Sequence, residues 1–164
     1  MKLLEAPEKI QHEDFQELLQ RFLPGIASPV LALLEDIHEL RRYEPGEVFM
    51  EAGKNADGVF VLRSGAAMTS PLSKSGPKMF PNISAPAILG LSETILGESN
   101  KSTWVCLHTV EAVLLPASSF IQILRRFPVV SLQFSKLLSD DLVATYSLLA
   151  DMRTKCGLHR ESPL

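Results

Sequence analysis

The sequence predicts an α+β domain dominated by β structure, in which a roll, sandwich or barrel of short strands is flanked by N-terminal helices and one long C-terminal helix. Three observations carry this. Residues 1–42 place apolar side chains at helical spacing, residues 43–116 lose that period and alternate short β-prone runs with glycine and proline, and residues 117–156 recover it. The 164 residues suffice for one ordinary domain with its own core and are too few for two of typical length.

In the N-terminal region Phe15, Leu18, Leu19 and Phe22 fall at the i, i+3, i+4, i+7 positions of one helical face across His12 to Leu23, and Pro24-Gly25 stops that helix. A second helix is expected from a Ser28 cap with Pro29 at its first position, through Leu31, Leu34, Ile37 and Leu40, to about Arg41-Arg42. The strands are expected at Val48 to Met50, Val59 to Leu62, Ala66 to Thr69, Thr103 to Leu107 and Val110 to Leu115, with turns at Pro45-Gly46, Asp57-Gly58 and Ser64-Gly65. Residues 71–86 carry prolines at 71, 77, 81 and 86 and read as a long surface loop. Ser118-Ser119 is expected to cap a short helix ending before Pro128, because the residue before proline disfavours helical dihedrals.

The last helix is expected from about Val129 to Lys155. Within it Leu138, Leu142, Thr145, Leu149, Met152 and Cys156 recur at spacings of four and three, the seam of a short coiled coil. Leu137, Leu148 and Ala150 widen this stripe, so one side can face the roll while the other meets a second copy in a parallel homodimer. The same stripe also suits a helix packed on its own domain.

Composition excludes several functions. A net charge of −3 from 16 basic and 19 acidic residues leaves no general footprint for nucleic acid or an anionic membrane. No apolar stretch approaches the roughly 20 residues that span a bilayer, and the acidic start is no secretory signal, so a cytoplasmic protein is expected. Cys106 and Cys156 are too few for a typical zinc or iron–sulfur site and are expected to be reduced and structural. His12, His38, His108 and His159 are scattered without metal-ligand spacing, and no nucleophile elbow or P-loop is present, so no metal and no catalysis are expected.

Pro45-Gly46-Glu47, Gly53, Gly58-Val59-Phe60-Val61-Leu62 and Gly65 resemble the opening pattern of cyclic nucleotide-binding domains. Ile88-Leu89-Gly90 to Lys101-Ser102-Thr103-Trp104-Val105, then Val110 to Leu115 and Phe120, resemble the phosphate-binding cassette and following strands of the Crp/Fnr family. The likeness covers about residues 43–155. It implies one domain built as a cyclic-nucleotide-binding-type β-roll or jelly roll over residues 43–116, with the cassette at 88–105, helices at 1–42 and 117–156 and a tail at 157–164.

The cassette departs from the family at two positions. In members that bind cyclic AMP, a glycine-glutamate pair receives the ribose hydroxyl and an arginine about ten residues later pairs with the phosphate. Here Gly90 holds the glycine place, Leu91 the glutamate place and Lys101 the arginine place. Leu91 cannot accept a hydroxyl proton, and an unpaired buried polar group costs about 1 to 3 kcal/mol. Lysine neutralises a phosphate as a point charge, without arginine's planar fork. Glu93 and Glu98 sit at the wrong offsets and read as solvated or turn residues.

Cyclic AMP is therefore expected to bind weakly or not at all. Lys101, Ser102 and Thr103 either hold a cyclic nucleotide or another small anion, or satisfy local backbone and solvent. Thr145 falls where the family sets a polar residue against the base, or is simply a polar break in the seam. Family regulators continue into a helix-turn-helix beyond the long helix, and this sequence ends at Leu164, so direct DNA binding by this chain is not expected. Two functions follow: a regulatory or sensory module signalling through a dimer helix, or a ligand-free dimerisation and interaction platform.

Overall fold

The computed structural model describes residues 8–71 and 82–155. Helix α1, His12–Gln20, buries Phe15, Leu18 and Leu19. It is shorter than the apolar spacing suggested, because the chain turns through Phe22 and Leu23 while still burying Leu23. Helix α2, Ser28–Ile37, begins behind Ala27 without a side-chain cap, so Ser28 is its first residue rather than the cap.

α2 also ends earlier than expected. Glu39–Tyr43 forms strand β1, which pairs with the late strand Val110–Pro116 from Glu39↔Leu114 to Tyr43↔Val110. Arg41 and Arg42 are good helix formers, yet this ladder wins, because tertiary pairing overrides a weak local propensity and an edge strand can hold both side chains in solvent.

The remaining strands are β2 Val48–Met50, β3 Gly58–Ser64, β4 Ala66–Pro71, β5 Asn82–Ser84, β6 Ala87–Leu89, β7 Ser102–Cys106 and β8 Val110–Pro116. They form two four-stranded antiparallel sheets, ordered β1-β8-β3-β6 and β2-β7-β4-β5. β5 lies inside the stretch expected to be loop and pairs Ala66↔Ser84 to Met68↔Asn82. Three residues are too few to display a period, which hid it; residues 72–81 of that stretch lie outside the described residues.

β3 and β8 are buried on both faces. Phe60, Leu62, Val110, Ala112 and Leu114 point between the sheets with Phe49 and Met50, whereas Val59, Val61, Val113 and Leu115 point outward beneath the helices. Alternation along a pleated strand thus feeds two cores, and the sequence shows near-continuous apolar runs instead of an in-out pattern. At Gly65 φ is +90° and a Cβ would fall 2.2 Å from the Thr109 carbonyl oxygen, so the β3–β4 turn accepts no other residue without moving backbone.

Helix α4, Ala117–Arg126, runs directly out of β8 behind Pro116, so Ser118 and Ser119 lie inside its first turn and are not caps. Helix α5, Pro128–Lys155, starts on the proline itself. Phe120 and Phe134 meet edge to face at 5.0 Å and anchor α5 on α4. From Ser139 to Arg153 every side chain except Met152 is exposed, so the distal part of α5 projects from the domain.

His38 joins α1 to α2. Its Nδ1–H donates to the Glu35 carbonyl at 2.5 Å, its Nε2 accepts from the Ile10 amide at 3.1 Å, and its ring stacks on Phe15 at 4.6 Å. Only 1% exposed, it is held below its ordinary value of 6.5 chiefly by burial, with Lys9 acting the same way and the Glu35 hydrogen bond opposing. The folded state thus binds this proton less readily than the unfolded chain. His38 contributes no pH dependence well above 6.5, and stability is lost as pH falls below it. The melting temperature is expected to drop between neutral pH and about pH 5.5, where most carboxylates are still ionised, and the drop to shrink in His38→Gln. An equal drop in the variant would refute the assignment.

Candidate functional site

The segment between β6 and β7 builds the site. Gly90 has φ +75°, and a Cβ on it would lie 2.8 Å from the Gly58 carbonyl oxygen, so glycine is required for the chain to pass over β3 and enter helix α3, Leu91–Leu96. Leu91 is 5% exposed and joins the outer core.

Against this corner, a cleft of about 650 Å³ opens between one edge of the roll and α5. Ile83 and Ser84 of β5, Ile88 and Leu89 of β6, and Trp104 of β7 form its floor. Leu91 and Phe22 close one side, and Leu137, Asp141, Ala144, Thr145 and Leu148 of α5 form the roof. The walls are mostly apolar, and the Thr145 hydroxyl donates to the Asp141 carbonyl at 2.8 Å.

The structure thus brings Leu91 and Thr145 together, with Gly90 setting the bend behind Leu91, and leaves Lys101, Ser102 and Thr103 off the cleft walls. The Lys101 ammonium lies 2.6 Å from a Glu98 carboxylate oxygen, with 64% of its side chain exposed. Thr103 Oγ1 accepts from the Ala52 amide at 3.1 Å, and its carbonyl accepts from the Thr69 hydroxyl at 3.2 Å, so it serves local structure. Ser102 opens β7 opposite Pro71. Glu93 accepts from the Ser92 hydroxyl at 2.9 Å beside its own helix.

Sequence reasoning missed Trp104, Asp141 and the β5 and β6 residues as cleft walls. The signals were present for two of them: Trp104 is part of the cassette pattern, and Asp141 precedes Thr145 by one helical turn. Of the seam, Leu138 is half-buried on the outer core, whereas Leu142 and Leu149 are 53% and 51% exposed. Cys156 lies outside the described residues. Cys106 is buried, and burial, with help from Glu47 and Glu44, pushes its thiol up, which disfavours the reactive thiolate.

Among the described residues no group of three or more His, Cys, Asp or Glu side chains could hold a metal ion. Among them, no helix is long and apolar enough to cross a membrane.

A fold and corner of this kind belong to a known class. The family model described as the cyclic nucleotide-binding domain matches residues 40–127, and the chain belongs to that family. No curated protein sequence matches it significantly. A cyclic nucleotide-binding domain from Methylobacillus flagellatus is similar with a TM-score of 0.72 at 16% identity, over 92% of this chain and 86% of that one. The catabolite activator protein of Thermus thermophilus gives 0.67 at 17% identity, over 81% of this chain and 62% of that one. The regulatory subunit of a cAMP-independent protein kinase A from Trypanosoma brucei gives 0.63 at 18% identity, over 76% of this chain and 47% of that one. At such identities the likeness is one of fold, and the chain spans less than two thirds of the Thermus protein.

Gly90→Ala is expected to cost at least about 1 to 2 kcal/mol, the penalty of a left-handed conformation for a residue with a Cβ, before the clash with Gly58 is added. Urea denaturation measures it. An unchanged midpoint would mean that the corner tolerates a side chain and is not fixed as described.

Proposed function

We propose that the chain is a non-enzymatic, cytoplasmic regulatory module in which a small molecule in the cleft sets how α5 stands on the roll, and α5 relays this to a second copy. One observation carries the reading: the helix that roofs the cleft with Leu137, Ala144 and Leu148 is the helix whose distal half exposes Leu142 and Leu149. Occupancy and partner contact therefore load the same rigid element. Membership of the cyclic nucleotide-binding domain family supports a sensory role.

Cyclic AMP is a poor occupant on this reading. Leu91 offers the ribose no acceptor, and Lys101 would have to leave Glu98 and swing in from the surface to reach a phosphate. A similar structure described as the regulatory subunit of a cAMP-independent kinase is a precedent for this fold operating without that ligand. A second reading, a platform that keeps the fold and has no ligand, draws on the burial of Leu91 in the outer core. On that reading the distal helix alone carries the function.

Calorimetry with cyclic AMP is expected to give a dissociation constant weaker than the low micromolar range, which corresponds to roughly −8 kcal/mol. Leu91→Glu combined with Lys101→Arg should tighten binding more than either change alone, since one residue serves the sugar and the other the phosphate. Tight binding by the parent would overturn this reading of the cassette.

Sedimentation is expected to show a dimer that Leu142→Glu with Leu149→Glu dissociates, because charges in a helical seam replace apolar contact with repulsion. A parent protein that stays monomeric at every accessible concentration would remove the relay.

A further inference from the structure

Of the polar groups on the cleft walls, Ser84 and Trp104 on the floor can donate, whereas those on α5 face the cleft as acceptors. Asp141 is the single ionisable residue on those walls, and its carboxylate, when charged, only accepts. The Thr145 hydroxyl spends its proton on the Asp141 carbonyl, so towards the cleft it presents lone pairs. No described residue supplies the Asp141 carboxylate with a hydrogen bond or an ion pair. The cassette's own cation is held outside by Glu98. A cavity of about 650 Å³ is within the usual range for a small-molecule site, where few polar groups fix orientation and apolar area supplies affinity.

We propose, resting on the reading of this cleft as a ligand site, that its occupant is an apolar molecule carrying one protonated amine, and not an anion. The ammonium donates to Asp141 and to Thr145 Oγ1 on α5. The apolar body lies among Leu91, Trp104, Ile88 and Leu148. Such a ligand joins the roll to α5 through a charge-assisted contact on the helix itself. A phosphate or carboxylate beside Asp141 would meet a second negative charge, and the walls offer it only the neutral donors of Ser84 and Trp104 and no cation.

The test uses the full chain and three probes of one shape: adamantane-1-methylamine, adamantane-1-methanol and adamantane-1-carboxylate. Trp104, the only tryptophan in the sequence, reports binding by its fluorescence, and calorimetry gives the constants. The amine is expected to bind roughly tenfold or more tighter than the alcohol, the usual worth of a hydrogen bond to a charged group, and the carboxylate weakest. Asp141→Asn should erase the amine's advantage, whereas Asp140→Asn, which removes the same charge one residue away, should leave it intact. If the alcohol or carboxylate binds as well as the amine, or Asp141→Asn changes nothing, the charge assignment is overturned while the cleft stands as a ligand site. If none of the three binds and Trp104 emission is unmoved, both the assignment and the ligand-site reading fail.

Discussion

The double-sided burial of β3 and β8 is the constraint on which the rest of the molecule depends. Each strand sends one set of side chains between the sheets and the other under α1, α2, α4 and the base of α5. The two cores therefore share a backbone, and neither can repack without shifting the other, because interiors at crystal-like density have no slack to absorb the change. Gly90 fits into this arrangement as a consequence: its close approach to Gly58, the first residue of β3, places the start of α3 against the shared wall. The cleft is tied to that wall through β6, which pairs with β3 and gives part of the floor, and through Leu91 at the start of α3, which closes one side.

How legible this was in the sequence follows from period and length. The amphipathic face of α1 and the long apolar stripe of α5 were plain, because a helix of several turns repeats its signal. β3 and β8 were plain as apolar runs. β1 was read as helix, since Glu39-Leu40-Arg41-Arg42-Tyr43 has no intrinsic strand pattern and becomes a strand only when β8, some seventy residues later, supplies its partner. The serine caps failed for a different reason. Ser28 and Ser118 each stand near a helix start, but the chain enters α2 and α4 already extended through Ala27 and Pro116, so the helices begin without a side-chain cap.

The site was half legible. The choice of Leu91, next to Gly90, came from the family resemblance, and in the structure it lies on the cleft wall. The fate of Lys101 did not follow from its own identity. Glu98, three residues earlier, lies within 2.6 Å of its ammonium, and a long flexible chain with a strongly hydrated head gains little by abandoning water and an ion pair for an apolar cleft. Exposed pairs of this kind contribute little to stability, so the effect is one of address. The charge sits at the surface, and the cleft walls are left without a cation.

The geometry of α5 explains how such a cleft could speak to a partner. At 3.6 residues per turn, the cleft-facing residues Leu137, Asp141, Ala144 and Leu148 form one stripe, and Leu138, Leu142, Leu149 and Met152 form another about 95° around the helix. The stripes are neighbours, and Thr145 lies at the border, on the cleft wall and within the seam. A roll of the helix that improved contact with an occupant would therefore turn the partner-facing stripe by the same angle. Phe134, edge to face on Phe120, seats the base of α5 on α4. Because helices are stiff along their axis and α5 is about 42 Å long, on the proposed relay a small rotation at the cleft would be carried along the helix to Leu149 and Met152, which do not line the cleft.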